Sequence, residues 1–176
     1  MSADSIEVRA TVAGDSPALE SLYVAAFPEE NLLPLVRRLL REVRGILSLT
    51  ATADDRLAGH IIFTPCGIGD SDDCVALLGP LAVTPSWQRR GVGRTLIRAG
   101  FEQLNQGSVR RVLVLGDPAY YGRFGFLPED SILPPYALPA AWTAAWQSIS
   151  IGADVVRIAG KLRPPAAWLQ AALWAP

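Results

Sequence analysis

"VTPSWQRRGVGRTLI" spans Val83–Ile97. It opens at the end of an apolar, strand-like run and closes with the spacing of a helix. Between these, Arg89-Arg90-Gly91-Val92-Gly93 puts positive charge and bare backbone into one turn. The first amides of any helix lack intrahelical partners, and the helix dipole adds partial positive charge there. Such a start binds anions, phosphates above all. Gly91 and Gly93 let the backbone wrap tightly and let an anion approach with no Cβ in the way. Arg89, Arg90 and Arg94 add cationic donors. Asp and Glu, common in a first helical turn, are missing here, which leaves that place to an anionic ligand.

Three phosphate-binding patterns can be compared with this turn. A Walker loop needs lysine followed by Ser or Thr after its last glycine, and no such pair is present. A dinucleotide fold needs G-x-G-x-x-G after the first strand of a βαβ unit, but Leu96 stands at the third glycine position. The third is a Q-x-x-G-x-G pyrophosphate loop, filled by Gln88, Arg89, Arg90, Gly91, Val92 and Gly93.

Upstream, "CVALLGPLAV" (Cys74–Val83) is almost wholly apolar and reads as a central strand buried on both faces. Gly79-Pro80 lies inside it. Proline cannot donate to a sheet ladder, so the strand is expected to bulge there. Two strands precede it, "ILSLTATA" and "LAGHIIFTPCGI", joined by the turn "DDR" into an antiparallel hairpin. Earlier still come a strand at Ile6–Thr11 and two helices. The first is capped by Asp15 or Ser16, with Pro17 in its first turn and Leu19, Leu22, Tyr23 and Ala26 on one face. The second carries Leu32, Leu35, Val36, Leu39 and Leu40 inward and Arg37, Arg38 and Arg41 outward.

Downstream, a helix over residues 91–106 turns Val92, Leu96, Gly100 and Phe101 inward, and Gly107 ends it. "VRRVLVLG" is then a buried strand. Strand, helix and strand in that order make a parallel pair. "AYYGRFGF" reads as a short helix ended by Gly125. Beyond it, "PAAWTAAW" reads as helical, and "WQSISI" and "DVVRIAGKL" as strands. Pro134, Pro135 and Pro139 mark a rigid surface loop. The expected architecture is α/β in the broad sense: a mixed, mostly antiparallel sheet with a splayed central parallel pair and helices on both faces.

The 176 residues suit one domain, 1–176. The net charge of −1 gives no basic field to draw nucleic acid. No apolar run approaches the ~20 residues of a membrane span, and the N-terminus lacks the pattern of a signal peptide. A cytoplasmic protein is expected. Cys66 and Cys74 read as half-buried thiols in a reducing compartment. His60, the single histidine, has no ligand cluster around it, so no metal site is read.

The chain resembles the GCN5-related N-acetyltransferase family, whose acetyl-CoA loop has the form Q/R-x-x-G-x-G/A. "LGPLAVTPSWQRRGVGRTLIRAGFEQL" and "VLVLGDPAYYGRFGFLP" carry the likeness, which is strongest over residues 57–128 and most like one bacterial subgroup. The resemblance implies that Leu81, Ala82 and Val83 pair with a pantetheine arm. It implies a pyrophosphate on the amides of residues 89–94, with Thr95 close by. Gln88, Arg89, Arg90, Gly91, Val92, Gly93, Arg94 and Thr95 are thus candidate cofactor residues. A bulged-strand amide, that of Val83, would polarise the thioester carbonyl. Tyr121 stands five residues before Phe126, where the family places its general acid, and Tyr120 is the runner-up. Glu29 and Glu30, between the first two helices, would meet the acceptor. Many family members carry an asparagine and a longer helix before this tyrosine; here the strand turns straight through Gly116-Asp117-Pro118, as in the bacterial subgroup.

The activity implied is acyl-CoA-dependent N-acylation, acetyl being the expected group, of a small-molecule or peptide amine. A thioester needs no covalent help from protein; it needs positioning, a polarised carbonyl and a proton donor. The alternative is an acyl-CoA sensor without turnover. A serine hydrolase would need His60 and lacks a G-x-S-x-G elbow. His60 reads more simply as a structural hydrogen-bonding residue. Trp142, Trp146, Trp168 and Trp174 read as packing residues, with a homodimer contact or an acceptor-pocket wall as the lesser reading.

Overall fold

Among the described residues the chain forms nine strands and four α-helices. In chain order these are β1 (Glu7–Ala10), α1 (Ser16–Ala26), α2 (Leu33–Glu42), β2 (Leu47–Ala53), β3 (Arg56–Ile68), β4 (Ser71–Val83), α3 (Val92–Asn105), β5 (Arg111–Leu115), α4 (Pro118–Tyr121), β6 (Leu127–Pro128), β7 (Ile132–Leu133), β8 (Trp146–Ser150) and β9 (Gly160–Arg163). The computed structural model describes residues 5–175. Contacts divide the chain into two units, one of Met1–Phe63 with Gly79–Gln103, the other of Thr64–Leu78 with Leu104–Pro176.

In the first unit β1, β2 and β3 run antiparallel, with Val8 opposite Ala51 and Leu49 opposite Ile61. Asp54 and Asp55 turn the β2–β3 hairpin with φ of 51° and 59°. Aspartate tolerates this left-handed backbone better than most residues do. The end of β4 runs beside β3, where the Thr84 N–H donates to the Ala58 carbonyl at 2.9 Å. Neighbouring residues on a strand face opposite ways. His60 meets Tyr23 of α1. A Cβ on Gly59 would lie 2.7 Å from Val92 and 3.0 Å from Leu96, both on α3. The helices α1 and α3 therefore cover opposite faces of β3. Gly100 allows the same close approach further along α3, against the Phe63 ring.

His60 is fully buried and bonded on both nitrogens, to Tyr23 Oη through Nδ1 and to Ser48 Oγ through Nε2, each at 2.7 Å. Ser48 donates to Thr11, so it accepts from Nε2–H, and Nδ1 accepts from Tyr23. The imidazole is held neutral, and burial pushes its pKa down to about 4. The structural reading of His60 holds.

In the second unit β4 and β5 form the expected parallel pair, from Ala76 opposite Val112 to Leu78 opposite Val114. The ladder stops at Leu78, immediately before Gly79-Pro80. Strand β8 runs antiparallel to β5, and β6 pairs with β8. The tryptophans fill the core of this unit. Trp146, Trp168 and Trp174 are buried, and their indole N–H groups donate to Ile132 O, Thr64 Oγ1 and Trp168 O. That satisfaction of every buried indole supports packing as their role. Trp142 is half-buried.

Four local expectations need correction. Leu40 lies on the exposed side of α2, because the buried stripe needs only Leu35, Val36 and Leu39. Asp15 makes no side-chain cap; its carboxylate takes both Arg9 guanidinium nitrogens at 2.8 Å and the Val12 N–H. "PAAWTAAW" is a 3-10 segment, Ala140–Ala145, that runs into β8. Of "DVVRIAGKL", only its last residues, Gly160–Leu162, enter β9, which pairs with β3 and β7.

Candidate active site

The loop after β4 is organised by backbone. Pro85–Trp87 form one 3-10 turn, Arg89 has φ of 61°, Gly91 has φ of 87°, and α3 starts at Val92. The first intrahelical bond runs from Thr95 N–H to Gly91 O at 3.0 Å. The amides of Val92, Gly93 and Arg94 thus precede it as helix-start donors. Nothing lies within 4 Å of where a Gly91 Cβ would be. Glycine is needed there for its left-handed backbone and for access, not to avoid another part of the protein. No acidic residue occupies the first turn of α3.

The side chains of this loop divide between outward and inward roles. Arg89, Arg90 and Arg94 are exposed, and the Arg90 guanidinium stacks 3.9 Å from the Trp87 ring centre. Thr95 donates its hydroxyl to the Gly91 carbonyl at 2.8 Å, closing the helix's first turn. Gln88 donates its amide to the Val83 carbonyl at 3.1 Å. Ala82 turns its carbonyl toward Gly59, while strand alternation sends the N–H groups of Leu81 and Val83 the other way.

Tyr121 lies in the second unit, on a turn organised by side chains. Asp117 caps α4 by accepting from Ala119 N–H at 2.9 Å, and its carbonyl accepts from Tyr120 and Tyr121. Pro118 takes the first helical position. The turn closes at Gly125 with φ of 97°. Tyr121 packs edge-on to Tyr120 and Phe126, with ring centres 5.0 and 5.6 Å away. Its ring sits against Gly116, where a Cβ would collide with it. Burial, and then Tyr120, push the Tyr121 pKa above the ordinary tyrosine value. Tyr120 meets Phe124 edge-on and lies under the Arg123 guanidinium.

Glu29 and Glu30 are exposed between α1 and α2. Among the described residues, no group of three or more His, Cys, Asp or Glu side chains is placed to hold a metal ion. Sequence reasoning missed Gly59 and read Gly116 only as part of a turn, because the signal of each is the partner that fills the space of its absent side chain. It also missed Glu129. This carboxylate is nearly buried and takes bonds from Arg111, Ser148, and the amides of Ser131 and Ile132. Burial alone would raise its pKa; those donors outweigh it and hold the carboxyl below the usual range. Glu129 fastens the segment between β6 and β7.

The acetyltransferase (GNAT) family model matches residues 16–126, and the chain belongs to that family. It is 35% identical over 156 residues to the uncharacterized N-acetyltransferase YjhQ of Escherichia coli K12, covering 85% of this chain and 86% of the relative. YhbS of the same organism is 32% identical over 120 residues, covering 68% and 72%. The crystal structure of YhbS in complex with CoA superposes with a TM-score of 0.85 at 24% identity, covering 97% of this chain and 95% of that one. A GNAT family acetyltransferase from Brucella melitensis, solved with acetyl-CoA, gives 0.73 at 30% identity, covering 94% and 99%. The likeness to the YhbS structure speaks for the fold.

Proposed function

We propose that the protein is an acetyl-CoA-dependent N-acetyltransferase in which an amine attacks the thioester directly. The observation that carries this is the loop after β4. It joins two left-handed residues, a helix start without acidic residues and three exposed arginines in one stretch. That set suits a pyrophosphate, since backbone donors and cations converge on a site with no Cβ to block it. The Leu81 and Val83 N–H groups suit the pantetheine arm, and the Val83 amide is assigned to the thioester carbonyl.

In the reaction the amine nitrogen bonds to the carbonyl carbon, the C–S bond breaks, and the thiolate takes a proton from Tyr121. The proton lost by the new amide's nitrogen leaves through water, with Glu29 or Glu30 as acceptor, and water returns a proton to Tyr121. The products are an N-acetyl amine and CoA. Tyr121 suits an acid because a phenol carries its proton at neutral pH and can give it up to a thiolate. The acceptor is proposed to be a small or peptidyl amine. The free thiols Cys66 and Cys74 fit a cytoplasmic setting.

Calorimetric titration with acetyl-CoA tests the reading. The wild-type protein should bind, and Gly91→Arg, which fills the open approach and strains a φ of 87°, should not. Failure of the wild type to bind, with both proteins alike, rejects it.

A further inference from the structure

We infer that Gln88 is a positioning residue, whose side-chain amide on the Val83 carbonyl sets the register in which β4 receives the cofactor's arm. The inference rests on the acetyl-CoA reading and adds to it a residue that acts without touching the cofactor through its side chain.

In a trans peptide the C=O and N–H point in opposite directions. Thr84 N–H points to β3, where it meets Ala58 O at 2.9 Å. The Val83 C=O, on the same peptide, therefore points away from β3. The Ala82 carbonyl lies toward Gly59 of β3, 3.1 Å from where a Cβ would stand. The Val83 N–H, trans to it, also points away from β3. Val83 thus turns both its donor and its acceptor to the side where an added strand would pair.

Gln88 changes that symmetry. Its Nε2 donates to the Val83 carbonyl at 3.1 Å, across the 3-10 turn of Pro85–Trp87. The Val83–Thr84 peptide is then pinned at both polar atoms, by Gln88 on one side and Ala58 on the other. Val83 offers the arm a donor while its acceptor is engaged. A ligand carbonyl is satisfied opposite Val83, whereas a ligand N–H there would compete with Gln88. The arm contains both kinds of group, so sliding it along β4 would bring an N–H against the engaged carbonyl. Gln88 selects the register that sets a carbonyl at Val83. The side chain's exposure does not weaken this, because a bound arm would exclude the water that could otherwise replace its hydrogen bond.

The test compares affinities for acetyl-CoA and for ADP, which has the pyrophosphate but no arm. Gln88→Met keeps the length and removes the donor; Gln88→Arg keeps a donor. Gln88→Met should bind ADP within about twofold of wild type and lose roughly fivefold for acetyl-CoA, the scale of one net hydrogen bond. Gln88→Arg should restore acetyl-CoA binding. In the ligand-free protein, Gln88→Met should also speed hydrogen exchange at the Thr84 amide. The proposal is overturned if ADP and acetyl-CoA weaken together, if Gln88→Met binds acetyl-CoA as the wild type does, or if Gln88→Arg is no better than Met. A wild-type protein that binds no acetyl-CoA would instead reject the cofactor reading, a failure visible before any variant is made.

Discussion

The loop at Val83–Thr95 and the turn at Gly116–Phe126 both carry residues assigned to the reaction, and they are built on opposite principles. The loop presents backbone: amides at a helix start, two left-handed residues, and a strand edge whose acceptor is held by Gln88. Its cationic side chains lie outside. The turn presents one side chain. Asp117, Pro118 and Gly125 shape it, and Gly116, Tyr120 and Phe126 enclose the Tyr121 ring. A repeating charged handle is well met by fixed amides, which carry no rotamer entropy. A single proton transfer needs one group with a chosen pKa, which only a side chain in a chosen environment supplies.

The sharpest way to break this contrast is Tyr121→Phe. Turnover should fall on the order of a hundredfold, as for loss of a general acid, while acetyl-CoA affinity stays within about twofold. Steady-state rates set beside calorimetry check this, and equal loss in both would erase the division of labour. The raised pKa adds a pH test, because the alkaline limb of turnover should not reflect Tyr121 below its ordinary value of about 10.

Acid should separate the units by a comparable amount. His60 is neutral and buried with its pKa lowered from 6.5 to about 4. The unfolded chain therefore binds the extra proton first. The stability His60 contributes is complete above pH 6.5 and falls by roughly 3 kcal/mol as pH drops to about 4. Glu129 is also lowered, but from 4.5, so its contribution is complete above that value and is lost only at more acid pH. Hydrogen exchange at pH 5 should rise around Ser48 and His60 while Ser148 stays protected. Equal protection at both places would contradict the burial of His60.

Gly116→Ala should cost about 1–3 kcal/mol, because the new methyl meets the Tyr121 ring. Thermal melting should show that loss, and turnover should fall with it. The smallest effect is expected in the loop. Arg89 has a left-handed φ of 61°, so Arg89→Gly should raise stability by up to about 1 kcal/mol while weakening acetyl-CoA binding and its salt dependence. A binding loss without any stability gain would mean that Arg89 is unstrained.

Much of this was legible in the sequence because the signals are local. Q-x-x-G-x-G, the absence of acidic residues at the start of α3, and Gly79-Pro80 inside an apolar strand are read within a few residues. The strand–helix–strand order then gives the β4–β5 pairing. The C-terminal part was less legible, since β7 and β9 are short and gain their order from partners distant in sequence. Asp15 shows the same limit: its local role was a cap, and Arg9 took it instead.

The sequence by itself determined the family, the pyrophosphate-type loop and the candidate tyrosine, because each depends on residue type at fixed spacing. The tertiary structure decided the state of those groups. It packs Tyr121 against Gly116 and raises its pKa, locks His60 neutral between Tyr23 and Ser48, and turns the Val83 carbonyl to Gln88. Desolvation and hydrogen-bond direction depend on which atoms meet across the fold, and spacing along the chain does not encode that.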